Sequence, residues 1–447
     1  MTAMAHPTQP VHRATNVPPG AGAMVTPATG SITLAAEHFA AATIYLLAGA
    51  VGLLWIAPEL AAGDFASPHV AGVTHLFTLG WLTTTIFGAL YQLLPVALAA
   101  PVRSPKLGHV SFWTFAPGAG LFACGVADNS IMLHHAGIGL ITTGILLVLV
   151  NVGRSLARSR ARDVTWAAVV LALTFLASTL VLGIILLHNL HTGFIAAARL
   201  RVLGAHLHVA IVGWALVMMI GVSDRLLPMF LLAHGARARY SKFALISIGL
   251  GVPTLVTGLV TRTAAVSWLA LVLIELGVAL FLRQAYEFHR VRVRKKIDVG
   301  MRFAGTALTF LTLAALTAPA VLARGIAAPR LATAYVLTGL LGGIVLYVVG
   351  FFYKIVPLLA WTALFRGRMG KEKVPTVAEL FSPRVAHVQL VFMALGVASL
   401  AAGIVSGLAP VAITGAWLFF AGVLLFLSQL LRVARGGRVC RHFGGGA

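Results

Sequence analysis

The chain has almost no cysteine: two residues in 447, Cys124 and Cys440. Neither a disulfide framework, a CxxC metal site nor the CxxCH motif of a covalently attached c-type haem can be built from them. Acidic residues are also scarce, 11 Asp and Glu against 33 Lys and Arg, for a formal net charge of +22. In a soluble protein that excess would point to nucleic acid. Here the cations fall in links between apolar runs, as the positive-inside rule expects of a membrane protein, so no nucleic-acid partner is expected. What the sequence does contain is apolar: 59% hydrophobic residues, 10% charged, and a mean hydropathy of +0.96. This composition belongs to a polytopic membrane protein whose surroundings include membrane lipid.

Apolar runs long enough for a membrane helix begin near Ala36, Val70, Val110, Met132, Thr165, Leu203, Phe243, Val266, Phe303, Leu331, Val385 and Val411. These predict an all-α integral membrane domain of twelve transmembrane helices over residues 33–435. Residues 1–32, rich in Pro, Thr, Ala and Gly and including His6 and His12, are expected to be disordered. They contain no compact apolar region of a cleaved signal peptide. Residues 436–447 read as a flexible tail. Arg103 and Lys106, Arg154 to Arg162, Arg237 to Lys242, Arg290 to Lys296 and Arg366 to Lys373 lie in links after even-numbered helices. Links after odd-numbered helices are short and carry Glu59, Asp64 and Asp128. Both termini are therefore expected on the cytoplasmic side.

Two of the runs are copies. His75, Gly80, Trp81, Gly88 and Leu93-Leu94-Pro95 align with His208, Gly213, Trp214, Gly221 and Leu226-Leu227-Pro228 at one offset of 133 residues (228 minus 95). A third, weaker copy has Gly342, Gly350 and Ile355-Val356-Pro357 at a further 129 (357 minus 228), with Leu337 in place of the histidine. The chain thus divides into three pseudo-repeats of four helices, about 33–160, 161–296 and 297–435. The glycines, eight residues apart, allow close approach of a helix or of a flat cofactor. Each proline marks a kink or a helix exit.

Polar groups inside a membrane segment are costly and usually functional. His69, His75, His134, His135, His188, His191, His206 and His208 fall in the outer half of the bundle, whereas His38, His234, His289 and His442 read as solvated on the cytoplasmic side. Neutral imidazole is a common ligand of copper, zinc and haem iron. His206 and His208, two residues apart on a helix, leave about 200° apart and cannot easily chelate one small ion, so they serve opposite flanks. His75 shares the rotational sense of His208, which makes His75 with His206 the favoured ligand pair. Arg199 and Arg201 stand just outside His206, where guanidinium groups can hold carboxylates. Asp224, beside Arg225, reads as half of a local pair.

An HxH followed by a Gly-Trp helix, a preceding Arg199-Leu200-Arg201, twelve helices and three pseudo-repeats together resemble subunit I of the haem-copper oxidase superfamily. The closest likeness is to small, divergent cbb-type relatives, and the NnrS family of haem- and copper-containing membrane proteins is more distantly similar. The resemblance covers residues 33–435 as topology, and as motif only the second and sixth helices. It implies an oxidase subunit I-like fold, haem b on His75, His206 or His208, and propionates near Arg199 and Arg201. It also implies a place in a bacterial cytoplasmic (inner) membrane and a cytochrome c-type donor, a quinol or another respiratory subunit as partner. The sequence departs from the family at the tenth helix, which lacks a histidine, and in having no His-Pro-Glu-Val-Tyr copper motif. The expectation is a haem protein of electron transfer or nitric-oxide-linked respiration without proton pumping. Alternatives are an oxygen or nitric oxide reductase, with copper or non-haem iron bound by His208 and members of the His134, His135, His188, His191 group, a metal-ion transporter, and a cofactor-free assembly subunit.

Overall fold

The computed structural model describes residues 32–436 apart from 234, 236 and 294. The expected disordered segment and tail, Ile32 and Gly436 excepted, lie outside the described residues, as do His234 and His442. The described residues form helices and no strand. Twelve helices are long and apolar enough to cross a membrane. In chain order they are α1 (Ile32–Ala62), α2 (Pro68–Ala97), α3 (Pro105–Ala127), α4 (Ile131–Ala157), α5 (Val164–Thr192), α6 (Ala196–Leu231), α7 (Ser241–Thr261), α8 (Ala264–Arg290), α9 (Val299–Arg324), α10 (Pro329–Arg368), α11 (Pro383–Ser406) and α12 (Ala409–Ala434). Each contains one of the apolar runs expected from the sequence. Several begin where a cap satisfies the orphan N–H groups of the first turn: Ser104 accepts from Leu107, Asp163 from Trp166, and Asp298 from Met301.

The three units close on one another. Within each, the first helix packs on the second, and the third and fourth form an antiparallel pair (α3 with α4, α7 with α8, α11 with α12). Between units, α4 meets α5, α8 meets α9, and α12 returns to α1. The second helix of each unit, α2, α6 or α10, lies innermost: its apolar window is 67%, 67% or 78% buried, against 50% or less for the others. The copied sequence runs are therefore the core of the bundle.

The repeat is physical as well as textual. Each inner helix changes to π-helical winding over eight residues, Leu76–Thr83, Val209–Leu216 and Thr338–Val345, at the same two offsets as the motif. A π turn adds a residue to the helical turn and commonly marks a functional site. His75, His208 and Leu337 each stand immediately before one. Four residues into the wider turn comes the repeated glycine. A Cβ there would lie 2.5 Å from the Tyr45 ring at Gly80, 2.7 Å from Phe175 at Gly213 and 2.6 Å from Phe310 at Gly342. An aromatic from the first helix of the same unit thus occupies this face each time, and the flat-cofactor reading of these glycines is replaced by close helix packing. The second glycine of each pair likewise meets His38 at Gly88, Ala168 at Gly221, and Phe303 at Gly350. His38 is buried here: its Nδ1 bonds to the Leu34 carbonyl at 2.7 Å and its ring packs on Phe112, so it is not solvated as expected.

A substitution follows from this packing. Gly213→Val drives a branched side chain into Phe175 and is expected to destabilise the bundle by about 1–3 kcal/mol, the usual cost of overpacking. Gly305, exposed and with open space around its Cβ position, is the control: Gly305→Ala is expected to leave stability unchanged or raise it. Thermal unfolding in detergent distinguishes the two.

Candidate functional site

The N-terminal ends of α2, α6 and α10, away from the arginine-rich links, surround a cavity of about 570 Å3. That is within the usual size of cofactor and small-molecule sites, roughly 300–1,000 Å3. Its wall is mostly apolar, and the polar groups on it include those singled out from the sequence: His75, His206, His208, Arg199 and Arg201, joined by Glu275 and Tyr335. A narrower chamber of about 70 Å3 is also lined by His75 and His206, together with Thr78, Gly183 and Trp214. All three histidines are half-buried.

His75 and His206 come from equivalent helices of the first two units and lie within electrostatic range of each other. The His75 Nδ1 bonds to the Ala71 carbonyl at 2.7 Å, which leaves Nε2 as the acceptor nitrogen, and the ring is held edge-on by Phe122. Orientation of an imidazole through its second nitrogen is what a metal ligand requires. The His206 Nδ1 is buried and makes no hydrogen bond of good geometry, with the Thr179 carbonyl as a backbone acceptor within reach. Gly183 gives this ring its room: a Cβ there would stand 3.3 Å from the His206 Cε1. Trp214 donates to the Thr83 hydroxyl at 3.1 Å and so ties α6 to α2 just below the pair.

His208 leaves the helix on the other flank, as the spacing requires. Its Nδ1 bonds to the Gly204 carbonyl at 2.8 Å, and its Nε2 is 3.4 Å from the Tyr335 hydroxyl, with the two rings stacked. The repeat explains the arrangement. His206 corresponds to Val73 in the first unit and to Tyr335 in the third, and His208 to His75 and Leu337. At the first junction the later position of one unit shares the cavity wall with the earlier position of the next, His75 with His206, and at the second His208 meets Tyr335. The third junction carries Leu337 and Val73, both buried. The same repeat positions thus hold two histidines, a histidine with a tyrosine, and two apolar residues.

Arg199 and Arg201 are half-buried at the start of α6. Neither makes an ion pair or hydrogen bond among the described residues, and the Arg201 Nε is buried without a partner. Two uncompensated guanidinium groups on an apolar wall favour an anionic ligand.

His134 and His135 do not join His208. They meet His191 instead, at the adjoining ends of α4 and α5, with the ligand nitrogens of all three within 4.8 Å of one another. None of the three lines the cavity. The acid-base pairs on the opposite side also differ from expectation. Asp224 accepts from Ser241 at 2.7 Å, and Arg225 pairs with the α5 cap Asp163 at 2.5 Å. Asp298 pairs with Lys354 in the same way one unit later. Arg225 to Lys354 is the motif offset of 129 (354 minus 225), and Asp163 to Asp298 is 135 (298 minus 163), the shift that also carries Phe175 to Phe310, a signal present in the sequence but hidden by the adjacency of Asp224 and Arg225.

The chain matches no known family model and no curated protein.

What remains is the donor set itself. Two imidazoles, one of them oriented through its second nitrogen, two unpaired guanidiniums and an apolar wall would fit a flat, dianionic metal porphyrin, and Gly183 preserves the space beside His206.

Proposed function

We propose that the protein binds one b-type haem in the cavity, where His75 and His206 would hold the iron and Arg199 and Arg201 the propionates. We further propose that it is an electron-transfer protein with an oxidase subunit I-like fold. On this reading, which the sidedness of the basic links supports, the cavity opens toward the outer face of a bacterial inner membrane and both termini are cytoplasmic. The partners are then a cytochrome c-type protein, a quinol or another respiratory subunit. The observation that carries the reading is that imidazoles from two repeat-related helices line one cavity whose other charges include two unpartnered arginines. A haem held by His75 and His206 would supply one-electron transfer, and that chemistry favours electron transfer over gas reduction. A reductase would need a second metal beside the haem, and the His208 Nε2 faces the Tyr335 hydroxyl rather than a further histidine.

A reduced-minus-oxidised optical spectrum of protein purified from haem-replete membranes tests this directly. Soret and α bands are expected, and the absence of both overturns it. Loss of the arginines gives a graded result. A charge-assisted hydrogen bond contributes about 1.5–3 kcal/mol, so Arg199→Gln and Arg201→Gln are each expected to weaken haem binding by about tenfold or more. Haem titration of the stripped protein reads this, and unchanged affinity in the double variant removes the propionate assignment.

A further inference from the structure

We infer that His134, His135 and His191 form a second, separate metal site that binds a divalent first-row transition ion of the zinc or copper class and clamps the first four-helix unit to the second. The His134 and His191 Nε2 atoms are 2.9 Å apart, and the three rings lie 4.9 to 5.1 Å from one another, centre to centre. Three imidazole nitrogens within 4.8 Å match the donor type and number of a three-histidine site with one open position. The rings are partly pre-oriented. The His135 Nδ1 bonds to the Ile131 carbonyl at 2.7 Å, which leaves Nε2 for a metal. His134 is fully buried, and its Nδ1 has no hydrogen bond of good geometry, with the Gly125 carbonyl as a backbone acceptor within reach. His135 and His191 are exposed, so an ion has a path in.

The repeat supplies an internal control. Gly125 on α3 makes its closest approach to the backbone of His134 on α4; the equivalent crossings are Gly258 with Ser267 and Gly403 with Ala412. Ser267-Trp268 and Ala412-Ile413 therefore stand where the first unit has His134-His135. The Phe175-to-Tyr45 correspondence places Ala61 where the second unit has His191. The crossing folds without histidine twice in the same molecule, so packing does not account for three imidazoles converging at one of three copies. The helices joined also matter. α4 ends the first unit and α5 begins the second, so a bound ion would link two units at a junction that is otherwise held by side-chain packing and, at its other end, by the Trp166 Nε1–H donating to the Leu156 carbonyl at 3.1 Å.

The test uses the untagged full-length protein, stripped with chelator and titrated with Zn2+ or Co2+. One tightly held ion per chain is expected, with visible ligand-field bands of four-coordinate Co2+ and a rise in unfolding temperature on Zn2+ addition. His135→Ala/His191→Ala changes only exposed side chains and is expected to lose the ion, the bands and the thermal shift. His75→Ala/His206→Ala is expected to keep all three, which separates this site from the haem cavity. Retention of the ion by His135→Ala/His191→Ala, or no ion in the parent protein, overturns the assignment.

Discussion

His75→Ala/His206→Ala is expected to remove the haem completely, with the Soret and α bands lost from the purified protein. Each ring faces a cavity rather than a packed neighbour on its ligand side, so truncation deletes the ligand without opening a hole in the core. The hydrogen bond lost at His75 is local to its own helix turn, so the fold does not depend on it. Each single variant is expected to retain a weakly held haem with one histidine and to shift from low to high spin. His208→Ala is expected to retain the haem in its two-histidine form, because His208 serves the other flank of α6. Equal loss from His208→Ala and His206→Ala would mean that the flank argument is wrong. Folded yield by size exclusion separates ligand loss from misfolding.

The second large effect concerns stability. Asp298→Asn leaves a capping side chain at the start of α9 but removes the charge facing Lys354. The Lys354 side chain is 15% exposed and sits over the Phe230 ring at 5.3 Å, so it cannot turn freely to water. Removing one partner of a fully buried pair typically costs about 3–5 kcal/mol; here both side chains are half-buried, at 15% and 26% exposure, so the expected loss is smaller, about 2 kcal/mol. Lys354→Met in the same chain is expected to restore most of the loss, because the uncompensated charge rather than the missing bond is the penalty. The matching substitution in the second unit, Asp163→Asn, should cost less, about 1 kcal/mol or under, since Asp163 and Arg225 are 36% and 47% exposed. Thermal unfolding of the four proteins checks the order.

The parts that sequence reasoning reached were those with strong periodic or compositional signals. Twelve apolar runs produced twelve membrane-length helices, and the shared offsets of His75 and His208 identified the innermost ones. The two-residue spacing of His206 and His208 sufficed to divide them between flanks, because helical rotation leaves no alternative. What stayed hidden depends on side-chain partners distant in the chain. Nothing near Gly80, Gly213 or Gly342 names Tyr45, Phe175 and Phe310 as their partners, yet those aromatics shift by nearly the same offsets and a search across repeats would have paired them. The π turns left no mark in the apolar pattern, because inner helices are apolar on every face and lose their periodicity. His191 could be placed on the outer side but not beside His134, since that contact joins two units rather than repeating within one. Asp224 misled because sequence neighbours on a helix point about 100° apart, toward Ser241 for one and Asp163 for the other.

Low-temperature electron paramagnetic resonance of the oxidised, purified protein, combined with a haem count per chain, tests the central claim most directly. The account predicts one haem b with a low-spin signal of two-imidazole ligation that disappears in His75→Ala/His206→Ala. A haem-free protein, or a signal unchanged in that variant, would contradict it.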